Sequence, residues 1–171
     1  MEFLEPHDVM HVNAAEGWLG LGKPIEANEE LEKITPSMRA HPDVLEVRYE
    51  IYAAEKKWDA CVDIASDIVK LAPESTFGWI QRSFALHELK RTKKALDSLL
   101  PAADHFPDEF VIRYNLACYE CVLGNMKQAK ERLADAFTLA QNQNCFDKWR
   151  LAALDDKDLE PLWGMLDEIE V

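Results

Sequence analysis

Apolar and small residues recur along this chain at intervals typical of paired amphipathic helices. Four short segments end in Ala27, Cys61, Ala95 and Ala129, and each step between them is 34 residues without insertion or deletion. Further apolar or small residues follow each of the four at +4 and +7, namely Leu31 and Ile34, Ala65 and Ile68, Leu99 and Ala102, and Leu133 and Ala136. This spacing places them on one helix face. The pattern predicts four pairs of helices of about 12–15 residues, joined by tight turns.

The residues between the helices of a pair fit a tight turn. Gly22 and Gly124 stand where a first helix must end in the left-handed conformation, which glycine adopts readily. Pro24 follows in the first turn of the next helix, where its missing N–H costs nothing. Asn125 is predicted to be an N-cap. The recurring small residue lets the two helix backbones of a pair approach closely.

This pattern resembles the tetratricopeptide repeat (TPR). The family motif is shown best by Tyr114, Leu116, Ala117, Tyr119, Gly124, Ala129, Leu133 and Ala136. Arg39 departs from it, because the family usually has Pro there, and Arg48 and Arg82 replace the usual Leu. The resemblance covers residues 8–141 and implies an all-α, right-handed α-α superhelix of four helix pairs. The implied repeats are 8–41, 42–75, 76–109 and 110–143.

Residues 144–171 are predicted to cap the array, so that 1–171 forms a single TPR domain. Asp147–Leu154 takes the place of a fifth first helix, and Asp158–Trp163 begins another short helix with Pro161 in its first turn. Terminal repeats need such covers for solubility. We therefore expect a structural lid, with a ligand arm as the alternative.

The resemblance also implies a concave groove lined by the first helix of each pair. Mapping the family's inward positions gives nine candidate peptide-binding residues, namely Glu46, Glu50, Phe77, Ile80, Phe84, His87, Tyr114, Cys118 and Cys121. One half of this groove is acidic and the other is apolar and aromatic. The hypothesis is a peptide or helix partner with apolar anchors and a basic end. The alternative is that Phe77, Phe84 and Tyr114 only pack helix against helix.

The charge narrows the range of partners. The chain carries 19 basic and 32 acidic residues, a net charge of −13, which argues against nucleic-acid binding. Its apolar runs are shorter than the roughly 18–20 residues of a membrane helix, and its acidic start is unlike a secretory signal. Together with four cysteines, too few for a disulfide framework, these features predict a cytoplasmic protein without membrane contact. A bacterial source is a further expectation.

Candidate chemistry is sparse. Cys118-x-x-Cys121 falls within a predicted helix, so a pair of small groove residues is expected, with a redox or metal role as the alternative. Cys61 replaces the recurring Ala and should be buried. His7 and His11 are interpreted as a surface pair. Without a phosphate-binding glycine loop or a supported nucleophile, we expect no enzyme activity, no cofactor and no metal.

These observations predict a non-catalytic protein–protein interaction scaffold or adaptor. The alternative is a bacterial secretion-type TPR chaperone for one substrate protein, and a thiol- or metal-dependent enzyme is the third hypothesis. The basic run at 90–94 is interpreted as a solvated turn. Its alternative is weak self-association, in which this run contacts acidic residues of another copy.

Overall fold

The computed structural model describes residues 3–168, and over that range the chain forms helices and turns without a strand. The α-helices are α1 Pro6–Gly20, α2 Pro24–Leu31, α3 Pro42–Ala54, α4 Trp58–Leu71, α5 Thr76–Glu88, α6 Thr92–His105, α7 Phe110–Val122, α8 Met126–Asn142 and α9 Phe146–Asp155. A short 3-10 helix spans Pro36–Met38, and a longer one spans Lys157–Glu168. The predicted all-α architecture of helix pairs followed by C-terminal helices is confirmed.

The chain divides into two compact units. Unit 1 is Met1–Ala85 and unit 2 is Leu86–Val171, so the boundary falls inside α5. In unit 1, α1 packs on α2, α3 on α4, and α3 also on α1 and α2. In unit 2, α7 packs on α6 and α8, and the C-terminal 3-10 helix packs on α7 and α9. The predicted repeat boundaries and the single-domain organisation stay predictions.

Each helix pair turns through one left-handed residue. These residues recur every 34 positions and have positive φ, namely Gly22 (71°), Lys56 (56°), Lys90 (60°) and Gly124 (82°). In all four turns the next N–H bonds to the carbonyl five residues before it, at 2.8–2.9 Å. This bond satisfies a carbonyl that the helix end leaves open. The prediction for Gly22 and Gly124 is confirmed, and two lysines adopt the same conformation although side chains disfavour it.

The recurring small residues form the contact points of the pairs. Ala27, Cys61, Ala95 and Ala129 are each 0% exposed, which confirms the packing role predicted for Cys61. Large apolar side chains surround them. The unit 1 core includes Leu31, Ile34, Val44, Ile51 and Ile68, and the unit 2 core includes Leu99, Ile112, Leu116, Leu133 and Phe137.

Arg39, which stands where the family usually has Pro, forms hydrogen bonds with the segment that follows α2. Its guanidinium donates to the carbonyls of Ile34 (3.1 Å) and Glu32, and it pairs with the Glu32 carboxylate at 2.9 Å. Arg48, the second departure from the motif, lies 3.2 Å from the same carboxylate. Both departures therefore serve a shared ion-paired cluster around Glu32.

Three local predictions are wrong in detail. Asn125 precedes α8, but its side chain donates to Glu120 Oε2 at 2.7 Å and does not cap the helix. Pro161 lies inside the C-terminal 3-10 helix, which begins earlier than predicted, at Lys157. His11 is not at the surface: it is 8% exposed and its Nδ1 lies 2.9 Å from Glu30 Oε2, joining α1 to α2.

Gly78 brings the beginning of α5 into close contact with α4. A Cβ at this position would lie 2.9 Å from Ile68 Cγ2 and 3.0 Å from the backbone nitrogen of Val69. A backbone atom cannot move away as a flexible side chain does. The beginning of α5 therefore packs against α4 only because residue 78 has no side chain.

Gly78→Ala is expected to lower the free energy of unfolding by about 1–3 kcal/mol, because overpacking outweighs the gain in helix propensity. Gly17→Ala is the matched control, since a Cβ there meets no atom within 4 Å. That control should stabilise the chain by up to about 1 kcal/mol. Urea unfolding followed by circular dichroism measures both, and equal effects of the two changes would contradict the close contact.

Lys56→Gly and Lys90→Gly are each expected to raise the free energy of unfolding by about 0.5–1 kcal/mol, because glycine carries no left-handed penalty. Lys130→Gly, within α8, serves as the control and should destabilise by about 1 kcal/mol. Thermal unfolding of the three variants checks the sign. Destabilisation by all three would show that the turns do not carry this strain.

Candidate functional site

An acidic recess lies between α1 and α3 in unit 1. It has a volume of about 280 Å³ and is lined by Leu4, Val9, Val12, Asn13, Glu16, Asp43, Glu46, Val47 and Glu50. Two of the nine predicted site residues, Glu46 and Glu50, therefore share one cavity. Valine side chains form apolar lining beside the carboxylates. The first helices of the first two pairs thus place predicted inward positions together, while peptide binding there stays a prediction.

The recess concentrates negative charge. Four carboxylates and no Lys, Arg or His are among its lining residues. Partial burial raises the pKa of Glu46, and the neighbouring Asp43 and Glu50 raise it further. Burial likewise raises the pKa of Glu50, with a further contribution from Glu16. The carboxylates are thus held close together, and one basic group outside the lining, His41, has its Nδ1 3.7 Å from Asp43 Oδ2. A cation bound in the recess would relieve the remaining repulsion.

An apolar stripe on α5 consists of Phe77, Ile80 and Phe84, at the i, i+3 and i+7 positions that share a helix face. Phe77 meets the ring of Tyr49 edge-on at 5.6 Å, and the Tyr49 hydroxyl donates to the Gln81 carbonyl at 3.0 Å. Phe84 also has an aromatic neighbour, Trp58, with ring centroids 5.7 Å apart.

The three side chains of the apolar stripe differ in their exposure to solvent. Phe84 is 41% exposed, whereas Phe77 and Ile80 are half-buried. The ring contact of Phe77 joins α5 to α3, which agrees with the alternative of helix packing for that residue. Phe84 leaves a substantial apolar area open to solvent, so it is the member of the stripe best placed to meet a partner.

The other four predicted site residues are buried in unit 2. His87, Tyr114, Cys118 and Cys121 are 8%, 5%, 5% and 3% exposed. Tyr114 donates its hydroxyl to Asp156 Oδ2 at 3.0 Å, and the Cys118 thiol donates to the same oxygen at 3.5 Å. His87 Nε2 lies 2.9 Å from Asp158 Oδ2. Residues 156–166, the C-terminal segment, therefore cover this cluster of predicted site residues in unit 2.

The cysteines are poorly suited to chemistry. All four are free, and burial raises the pKa of Cys61 to about 11. Burial also raises the pKa values of Cys118 and Cys121, which the adjacent Asp156 and Asp158 raise further. Nucleophilic attack and metal ligation both need the thiolate. Among the described residues there is also no group of three His, Cys, Asp or Glu side chains arranged to hold a metal ion.

Sequence reasoning missed the two aspartates that cover unit 2. Asp156 and Asp158 follow α9 in the stretch Asp-Asp-Lys-Asp-Leu, and the Asp156 carboxylate also accepts from the backbone N–H of Asp158 at 3.0 Å. Asp before a helix is a start signal, but it does not show which surface the helix will cover. No helix within residues 3–168 is long and apolar enough to cross a membrane.

Comparisons with known proteins find similarity in structure alone. No protein-family model and no curated protein matches the sequence. The solved structure MamA RS-1 ArsTM double mutant has a TM-score of 0.70 at 17% identity, covering 98% of this chain and 96% of that chain. MamA MSR-1 C2 has a TM-score of 0.66 at 20% identity, and the match covers 78% of this chain and 76% of that chain. MamA AMB-1 C2221 has a TM-score of 0.60 at 13% identity, and the match covers 97% of this chain and 100% of that chain.

Identities this low show the fold and nothing beyond it. MamA is a TPR-repeat protein, and the similarity covers most of each chain. This chain therefore has a TPR-type helical fold, as its 34-residue pattern predicted.

Proposed function

We propose that this chain is a non-catalytic protein-interaction scaffold, and that its acidic recess binds a basic segment of a partner protein. The observation that carries the proposal is the set of four carboxylates lining one cavity without a basic side chain among its lining residues. Arginine or lysine of a partner would supply the missing charge through charge-assisted hydrogen bonds.

The apolar contacts of such a partner follow from the same unit. Val9, Val12 and Val47 line the recess and accept aliphatic groups. Exposed Phe84, on α5, is an anchor for a further apolar side chain. The expected ligand is an extended or helical segment that carries both arginine or lysine and aliphatic residues.

Support for a non-catalytic role comes from the thiols. The raised pKa values of Cys61, Cys118 and Cys121 keep these residues protonated near neutral pH, which disfavours a thiol-dependent enzyme. The proposed setting is the bacterial cytoplasm, without nucleic-acid or membrane partners. A secretion-type chaperone would use the same surface, and co-purification with one insoluble substrate would distinguish that role.

Weak self-association is a special case of the proposal. The turn between α5 and α6 carries a basic run at 90–94, and a second copy could present it to the recess. Lys93 already pairs with Asp97 in its own chain, which reduces the charge available. Sedimentation at low and high salt tests this, because a charge-driven contact weakens as salt screens it.

Fluorescein-labelled peptides with two arginines and two leucines at varied spacing are expected to bind, as measured by anisotropy. Glu46→Gln with Glu50→Gln should weaken the best binder about tenfold, since two charge-assisted contacts are lost. The same two substitutions should remove most of the difference in peptide affinity between about 50 and about 300 mM NaCl. Phe84→Ala should weaken binding while leaving that salt dependence in place.

Asp63→Asn with Glu74→Gln is the matched control. These residues are exposed in the same unit, lie outside the recess and give the same change in net charge. Binding by this control should equal that of the unmodified chain. Equal losses in the two double variants would mean that only net charge attracts the peptides, and the recess would be excluded.

Binding of the same peptides is expected to weaken as pH falls. The raised pKa values of Glu46 and Glu50 mean that these groups take up protons at a pH above the ordinary carboxyl value of 4.5. A bound arginine needs them ionised, so affinity should be constant near neutral pH and decline as pH falls through the raised pKa values. Anisotropy from about pH 8 to about pH 4, with circular dichroism to confirm folding, measures the decline.

The Glu46→Gln with Glu50→Gln chain provides the comparison for this pH series. Its residual binding should depend less on pH over the same range, because two of the titrating groups are gone. Affinity that stays constant down to about pH 4.5 in the unmodified chain would contradict an electrostatic role for these two side chains.

A further inference from the structure

The C-terminal segment packs on unit 2 through both polar and apolar contacts. Its polar contacts use two aspartates against three donors: Tyr114 and Cys118 at Asp156 Oδ2, and His87 at Asp158 Oδ2. His87 is itself positioned, because its Nδ1 lies 3.0 Å from Thr92 Oγ1 and its ring stacks on Tyr119. The receiving surface, formed by α7 and the end of α5, thus presents oriented hydrogen-bonding groups to carboxylates.

The apolar contacts of the segment are equally regular. Leu159 and Leu162 are 0% exposed and Leu166 is 3% exposed, so all three leucines are buried in unit 2. Trp163 donates its Nε1 hydrogen to the Ala153 carbonyl at 2.9 Å, which attaches the segment to α9. The pattern Asp-x-Asp-Leu-x-x-Leu is therefore fully used, with acidic groups at one end and leucines after it.

The receiving surface selects acidic chemistry. Burial and the adjacent Asp156 raise the pKa of Tyr114, so its hydroxyl stays protonated and remains a donor. A lysine in place of Asp156 would face the Tyr114 and Cys118 donors and leave both without an acceptor. This preference is opposite in sign to that of the acidic recess, so the two surfaces favour segments of opposite charge.

Part of the attachment of the segment is open to solvent. Ordering these eleven residues opposes docking through lost conformational entropy, and burial of the three leucines offsets part of that cost. The Asp158 side chain is 35% exposed, so part of its contact already competes with water. Contacts that are exposed to water open more readily than those in the core of a domain.

We propose that this surface is a second recognition site, for acidic leucine-bearing segments of a partner protein, and that the C-terminal segment occupies it until such a partner displaces it. The site is independent of the acidic recess and of the function proposed for that recess. Displacement would open His87, Tyr114, Cys118 and Cys121, the four predicted groove residues that are now covered.

The test uses the full chain and a fluorescein-labelled peptide with the sequence of residues 155–166. Asp156→Ala with Asp158→Ala should loosen the attached segment and increase the affinity for the peptide at least about tenfold, because the tethered competitor has a high effective concentration in the unmodified chain. Asp155→Ala with Glu160→Ala removes two exposed carboxylates beside them and should leave the affinity unchanged. Circular dichroism confirms that each chain is folded.

Cysteine labelling supplies a second measurement. Iodoacetamide labelling read by mass spectrometry should show Cys118 and Cys121 reacting faster in the Asp156→Ala, Asp158→Ala chain, and the added peptide should protect them again. Cys61, which is 0% exposed in unit 1, should stay unlabelled throughout. Reprotection distinguishes a recognition site from a simple cover.

Three outcomes would overturn the proposal. One is faster labelling without peptide binding, which would make the segment only a cover. Another is equal binding of a peptide with lysine at both aspartate positions. The third is a dimer formed by exchanged C-terminal segments, detected by light scattering, which would assign the surface to a second copy. Glu46→Gln with Glu50→Gln should not affect this peptide, so failure here is separable from failure of the recess.

Discussion

The close approach of two helices through one small residue is the constraint on which the rest of this structure depends. Ala27, Cys61, Ala95 and Ala129 each have no exposed surface, and a left-handed turn precedes each of them by five residues. A larger side chain would force the helices apart, and a different turn would rotate the second helix away from the first. Because both features repeat at one interval, each first helix meets its own second helix in the same way.

The two units turn this common framework to opposite chemistry. In unit 1, Glu46 and Glu50 line a recess without a basic neighbour among its lining residues, so the frame holds unbalanced negative charge. In unit 2, Tyr114 and His87 meet the carboxylates of Asp156 and Asp158. Glu46 and Glu50 correspond in the 34-residue repeat to Tyr114 and Cys118, which donate to the Asp156 carboxylate. Corresponding helix positions therefore carry acids in one unit and hydrogen-bond donors to an acid in the other. On a repeated backbone of this kind, side-chain replacement changes the chemistry of a surface while the backbone stays the same.

Sequence predicts this fold well because the determining signals are local and repeat. The 34-residue step and the glycines at 22 and 124 were sufficient to place helix pairs and turns, and Glu46 and Glu50 were placed on one surface. Contacts between distant segments were not predictable. Nothing in the spacing of His11 indicates Glu30 as its neighbour, and nothing near Asp156 indicates Tyr114, 42 residues earlier. The left-handed Lys56 and Lys90 were missed because residue type alone points to glycine there.

Those two lysines give each unit a natural site for native-state proteolysis. Lys56 lies in unit 1 and Lys90 in unit 2, and both are exposed at the surface. Trypsin needs an extended strand in its cleft, yet both residues are held in tight turns by 2.8–2.9 Å backbone bonds. Cleavage after either lysine therefore requires local opening of that turn. The rates at the two sites would report the local opening of the two turns separately, without any introduced label.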